Sequence, residues 1–174
     1  MHLPHFEDRI HAVCERHPGL PRQAVVVTRM IRFLSGAIDA RLSQLLTGEG
    51  LNCSSWSVLM MIYSDRTGTV RPSSIGQALS QSRAHMTRLA DELVASGWVE
   101  RLPDAADRRA VALRLSSEAR QRMQLLLPRV WALYEEMLGG LEPASLDPLE
   151  ASLRTLLSHI EQLPPIEAGT GKQA

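Results

Sequence analysis

Cysteine is scarce: Cys14 and Cys53 are the two among 174 residues, too few for a disulfide scaffold. Long apolar runs are missing as well. The strongest, Val58 to Tyr63, is far short of the roughly 18 apolar residues that cross a bilayer, so no membrane partner is expected. The opening Met1-His2-Leu3-Pro4-His5 has no basic segment followed by an apolar one, so export is not expected and the reading is cytoplasmic. There is no Gly-rich phosphate loop, no Gly-x-Ser-x-Gly elbow and no His-Glu-x-x-His pair, and the carboxylates are scattered along helical stretches. An enzyme is therefore not expected, and no cofactor is implied. Lysine is almost absent: the basic residues are arginines apart from Lys172. Net charge is zero, which by itself argues against nucleic acid as a partner.

What is present points the other way. Residues 66–114 carry eight Arg against five acids, whereas residues 115–174 carry five basic residues against eight acids. The positive excess therefore sits in one central block, and field strength is a local property. At 44% hydrophobic residues the chain can bury an ordinary core, which excludes disorder throughout.

Apolar spacing predicts a short helix over 5–17 (Phe6, Ile10, Val13, Cys14) and a long one from Arg22 to about Leu46, stopped by Gly48-Glu49-Gly50. A helix over about 55–64, capped by Ser54 or Ser55, carries Trp56, Leu59, Met60 and Tyr63. Asp65-Arg66-Thr67-Gly68 reads as a turn. Ser74 and Gln77 stand at capping-box spacing at the start of a short helix to Leu79. After Ser80-Gln81, Ser82 can cap a helix from Arg83 to Ser96, with Met86, Leu89, Ala90, Leu93 and Val94 inward and Gly97 beyond its end. Two strands follow, about 98–102 and 111–115, with Val111, Leu113 and Leu115 on one face and a charged tip at Pro103 to Arg109. Ser116 or Ser117 starts a long helix to Leu138, with Pro128 expected to kink it, and a leucine-striped helix covers about 146–161.

The fold class is thus mainly α with a small β-hairpin: a winged helix-turn-helix plus a helical dimerisation layer. The expected organisation is 1–50 for N-terminal dimerisation helices, 51–116 for a DNA-binding lobe, 117–162 for C-terminal dimerisation helices and 163–174 for a flexible tail. In such a unit the second helix enters a major groove about 12 Å wide and its first turns meet base edges. Gln81, Ser82, Arg83, His85, Thr87 and Arg88 hold those positions. Arg83 and Arg88 suit guanine or phosphate, Gln81 adenine, and the Thr87 methyl a thymine methyl. The N–H groups at Ser73 and Ser74 suit a phosphate. At the hairpin tip Arg108 and Arg109 suit the minor groove, with Asp107 orienting a guanidinium. The alternative is that these charges are a solvated face of a winged-helix protein-interaction domain. The apolar stripes of the end helices call for a second copy, which would set two recognition helices about 34 Å apart on a near-palindromic double-stranded operator. Otherwise those helices wrap their own lobe in a monomer.

At these residues the sequence resembles the MarR family of bacterial transcriptional regulators, most of all the branch that represses multidrug-efflux operons. The resemblance runs through Ser82-Arg83 to Asp91-Glu92-Leu93, then Gly97-Trp98-Val99-Glu100-Arg101, Asp104-Ala105-Ala106-Asp107-Arg108-Arg109-Ala110-Val111 and Leu113-Arg114-Leu115, and Thr28-Arg29 fits the same branch. It covers about 22–162. The usual Leu-Thr after the wing is Leu115-Ser116 here, and the usual Gly one turn on is Ala119. The resemblance implies a homodimeric repressor of a neighbouring or its own operon. A small aromatic or phenolic acid, of hydroxybenzoate or hydroxynicotinate type, would release it by favouring a dimer shape that no longer fits the operator. By this analogy Trp56, Met60, Tyr63 and Phe33 would line the effector cleft, Arg29 would pair with its carboxylate, and His17 would reach in from the other subunit. Met and aromatic residues at helical spacing also suit a plain core.

Two other sensing modes stay open. Cys14 stands near the N-terminus, where some relatives carry an oxidant-sensing thiol; such a thiol needs a neighbour that lowers its pKa. His2, His5, His11 and His17, with Glu7, Asp8, Glu15 and Cys14, cluster as a zinc-responsive relative's ligands could, without the tight spacing of a structural zinc set.

Overall fold

The computed structural model describes residues 3–104 and 110–166. The elements are α1 (Leu3–Arg16), α2 (Arg22–Thr47), α3 (Cys53–Ser64), β1 (Thr69–Val70), α4 (Pro72–Ala78), α5 (Arg83–Ala95), β2 (Val99–Pro103), β3 (Val111–Leu115), α6 (Ser117–Leu138), a 3-10 turn (Pro143–Ser145) and α7 (Leu146–Gln162). They divide into two compact units, Met1–Leu133 and Tyr134–Ala174. Among the described residues no helix is long and apolar enough to cross a membrane.

The helix ends follow from their capping chemistry, with two departures from expectation. Asn52, rather than Ser54 or Ser55, caps α3: its side chain accepts from the Ser55 N–H at 2.9 Å, which lets Ser54 and Ser55 enter the helix itself. The capping box expected from Ser74 and Gln77 does not form. Arg71 is the N-cap of α4 but its side chain makes no capping bond to the helix, and Pro72 at the first turn supplies the pre-set φ instead. Ser82 caps α5 as expected, accepting from the His85 N–H at 3.2 Å. Ser116 accepts from the Ala119 N–H at 3.0 Å at the head of α6, which continues through Pro128.

Helices α4 and α5 end alike. After α5, the Trp98 N–H reaches the Leu93 carbonyl and the Gly97 N–H the Val94 carbonyl, with Gly97 at φ +74°. After α4, the Gln81 N–H reaches the Gly76 carbonyl and the Ser80 N–H the Gln77 carbonyl, with Ser80 at φ +52°. Both are Schellman closures. One places a glycine at the left-handed position and the other asks a serine to adopt it.

The sheet has three strands in the order β1-β3-β2, all antiparallel. The hairpin was legible; β1 was not, because Thr69–Val70 is too short to show alternation. Leu113 and Leu115 enter the core, and Arg114 pairs across the outer face with Glu100 at 2.8 Å. Val111, expected inward with them, is exposed: it lies opposite Pro103 at the hairpin's far end, beyond the reach of the core. Asp65 stabilises the turn before β1. Its carboxylate accepts from the Thr67 hydroxyl at 2.6 Å and the Thr67 N–H at 2.8 Å, and these bonds hold its pKa below the ordinary value of 3.8. That contribution is present above the ordinary value and is lost as pH falls through the lowered one.

One core serves the first unit. It joins Leu42 and Leu46 from α2, Trp56, Leu59 and Ile62 from α3, Ile75 from α4, Met86, Leu89 and Leu93 from α5, Trp98 and the inward strand residues, and Met123, Leu126 and Val130 from α6. Trp98 is 1% exposed, and the Arg122 guanidinium stacks over its ring at 3.9 Å. Arg122 also donates to Glu49, which Arg129 reaches too, so the α2–α3 loop is tied to α6. Beyond this core the end helices are barely covered. On α1 Ile10 is buried whereas Val13 is exposed; on α2 Val27, Phe33, Leu34 and Ile38 are exposed. In the second unit α7 buries no residue at all.

The two Schellman closures make opposite predictions. Gly97→Ala destabilises by about 1 kcal/mol, since a Cβ is disfavoured at positive φ. Ser80→Gly stabilises by roughly 0.5 kcal/mol, because removing a left-handed Cβ is worth roughly 1–2 kcal/mol and glycine's chain entropy returns roughly 0.5–1. Thermal melts of the two variants against the parent check both signs.

Candidate nucleic-acid interface

The helix-turn-helix geometry rests on a close approach. Gly76 on α4 faces Met86 on α5: a Cβ at Gly76 would stand 3.0 Å from Met86 Cγ and 3.3 Å from the Gln81 carbonyl oxygen. The missing side chain lets α4 brace α5 while the other face of α5 stays free. Met86, Leu89, Ala90 and Leu93 are buried, and Gln81, Ser82, Arg83, Thr87 and Arg88 are exposed on the outward turns, with His85 half-buried. The helical period thus separates core from surface as the sequence predicted.

The outward residues are not equivalent. Arg83, in the first turn, has no ion pair or hydrogen bond from its guanidinium to the described residues. Arg88 is engaged: it pairs with Glu92 one turn on and approaches His85 Nδ1 at 3.3 Å. Thr87 turns its hydroxyl back to the Arg83 carbonyl at 3.0 Å, so its methyl is the group left outward. Ser82 has its side chain committed to the cap. Ser73 and Ser74 are exposed in the first turn of α4. Asp107, Arg108 and Arg109 lie outside the described residues, and the wing is followed as far as Asp104 and from Ala110.

Two ion pairs that sequence reasoning missed fasten β2 to the helices. Arg101 pairs with Asp91 of α5 at 2.5 Å. Arg71, at the N-cap of α4, binds Asp104 with two bonds of 2.8 and 2.6 Å. The partners are separated by 10 and 33 residues, so no sequence spacing announces them.

The expected effector residues are dispersed in character. Trp56 is buried within the core cluster, and Met60 and Tyr63 are half-buried against it. Phe33, Arg29 and His17 are exposed. Cys53 sits at 3.2 Å from the Ser43 hydroxyl, and Cys14 is half-buried on α1. His11 pairs with Glu15 at 3.3 Å, and no three His, Cys, Asp or Glu among the described residues gather as metal ligands would.

The segment with this geometry, residues 51–111, matches the MarR family model. That segment is similar to the winged helix-turn-helix of MarR-family regulators. Over 158 residues the chain is 29% identical to the transcriptional repressor MprA of Escherichia coli K12, covering 91% of this chain and 90% of that protein. The crystal structure of a mutant MarR from E. coli complexed with operator DNA matches with a TM-score of 0.70 and 26% identity, covering 79% of this chain and 98% of that one. AbsC of Streptomyces coelicolor, a MarR family transcriptional regulator, shares the fold with a TM-score of 0.73 at 19% identity, over 83% and 98% of the two chains.

In this unit the Gly76–Met86 contact sets how α5 is presented. Gly76→Val forces the two helices apart. It is expected to lower stability by about 1–3 kcal/mol through overpacking, read as the midpoint of a urea titration.

Proposed function

We propose that the chain is an operator-binding transcriptional repressor that acts as a homodimer and is released by a small aromatic or phenolic acid. The observation that carries the DNA reading is Arg83, exposed and without an ion pair among the described residues, in the first turn of a capped, outward-facing helix braced by α4. An arginine at that point of such a helix is placed for a guanine edge or a phosphate. The kinship with MprA, named a transcriptional repressor, and with MarR, solved on operator DNA, supports the same reading. Ser73 and Ser74 would add phosphate contacts, Gln81, His85, Thr87 and Arg88 base or backbone contacts, and Arg108 and Arg109 minor-groove contacts oriented by Asp107.

The dimer reading rests on uncovered apolar faces. Leu149, Leu153, Leu156, Leu157 and Ile160 of α7 are exposed, as are Val27, Leu34 and Ile38 of α2. Stripes of this extent suit burial against a second copy, with residues 1–50 and 117–162 as the dimerisation layer. The effector class follows from the family resemblance. Arg29 and Phe33, exposed on α2, with half-buried Met60 and Tyr63, supply the cation and apolar surface that an aromatic acid needs. The effector acts through its preference for a non-binding dimer shape.

Three measurements test this reading. Footprinting on the DNA upstream of the protein's own gene should show a protected near-palindrome. Aromatic acids should remove that protection, whereas zinc or peroxide should leave it; the reverse would favour a metal or thiol sensor. In anisotropy titrations at fixed salt, Arg83→Ala and Arg109→Ala each weaken operator binding at least about tenfold, near 1.4 kcal/mol, and unchanged affinity of both rejects the DNA face. Deleting residues 146–174 converts the dimer to monomer or aggregate in light scattering; a well-behaved dimer after that deletion overturns the placement of the subunit contact.

A further inference from the structure

We propose that the Arg71–Asp104 pair is a positioning clamp that fixes the direction of the wing relative to the recognition helix. This rests on the operator-binding reading above. The two residues stand at the two hinges of the unit. Arg71 is the N-cap of α4, where its carbonyl accepts from the Ile75 N–H at 3.1 Å, and it follows directly on β1. Asp104 is the first residue beyond β2 and its N–H donates to the Ala110 carbonyl at 3.0 Å, closing the neck of the wing.

The bond between them is of an orienting kind. One guanidinium holds both carboxylate oxygens, Nε to Oδ2 at 2.8 Å and the terminal nitrogen to Oδ1 at 2.6 Å. Such fork-to-fork pairing restricts angle as well as distance. The Asp104 side chain is 13% exposed and that of Arg71 41%. By contrast Arg101–Asp91 and Arg88–Glu92 are about half exposed on both sides, where ion pairs contribute little. A sheltered, two-pronged contact is the one able to hold an angle.

The geometry also explains why the clamp is required. Strands β2 and β3 pair as far as Pro103 and Val111, and Val111 is exposed there. Arg101–Asp91 ties the middle of β2 to α5, and Arg71–Asp104 ties its end to α4. The two pairs thus fasten the strand to the helix-turn-helix up to the neck. Without the clamp the wing samples more orientations, and a bound one must be selected from them at a cost in affinity.

The test is a set of anisotropy titrations of the full-length protein on the protected DNA, across a salt series. Asp104→Asn and Arg71→Met each weaken binding about tenfold and make the dependence of log K on log salt shallower, because wing contacts to phosphate are lost. The double variant binds no more weakly than either single one, as expected for two halves of one contact. Adding Asp104→Asn to the combined Arg108→Ala and Arg109→Ala variant gives no further loss, since the proposed wing contacts are then gone and none is left to position. A residue that merely stabilises the fold would weaken both backgrounds equally. Thermal melts accompany each variant, and Arg71→Lys, which keeps charge but not the fork, serves if Arg71→Met fails to fold. Tighter binding by Asp104→Asn would mean that Asp104 holds Arg71 back from DNA, and overturns the proposal, as do additive losses or affinities equal to the parent's. If the parent protects no DNA at all, the operator reading fails and takes the clamp's role with it; if the parent binds and the variants match it, only the clamp fails.

Discussion

The structure depends on how closely α4 can approach α5. Gly76 and Met86 set that distance, and the turn between them is closed by backbone bonds that force Ser80 into the left-handed region. A larger residue at Gly76 would push α5 away from α4 and displace its outward residues. The recognition surface is therefore a consequence of a contact on the opposite side of the helix. Packed cores transmit such constraints because they have little free volume to absorb them.

Electrostatics then distinguishes arginines that composition makes alike. Within residues 66–114 Arg71, Arg88, Arg101 and Arg114 each face a carboxylate, while Arg83 faces none among the described residues. A charge already neutralised by a neighbour contributes less field and must lose that neighbour before it binds anything else. The local excess of positive charge thus reaches solvent through a few residues, and the remainder serves to brace strand against helix. This division reconciles a chain of zero net charge with an anionic partner.

The helices at the chain ends pose the complementary problem. They are periodic and apolar, yet in one copy their stripes are left exposed along much of α2 and all of α7. The inward half of α6, by contrast, belongs to the core of the first unit through Met123, Leu126 and Val130. One helix therefore contributes to the lobe with one stretch of its length, so the boundary drawn at residue 116 from sequence falls inside a shared core.

Much of the fold was written in the sequence by local rules. The period of apolar residues placed six of the seven helices among the described residues within a few residues of their ends, Ser82 and Gly97 marked the two ends of α5, and alternation marked β2 and β3. These are properties of a few neighbouring residues, and a chain carries them wherever it goes. Tertiary structure decided what involved distant partners or competition between equals. It chose Asn52 over Ser54 and Ser55 as a cap and Pro72 over a capping box, recruited the two residues of β1 because β3 offered them an edge, and left Val111 outside because the core ends before it. It buried Trp56, joined Arg71 to Asp104 across 33 residues, and left the Arg83 guanidinium without a partner among the described residues. Spacing along the chain says which face a side chain shares; only the folded chain says which partner waits there, because that partner arrives from elsewhere in the sequence.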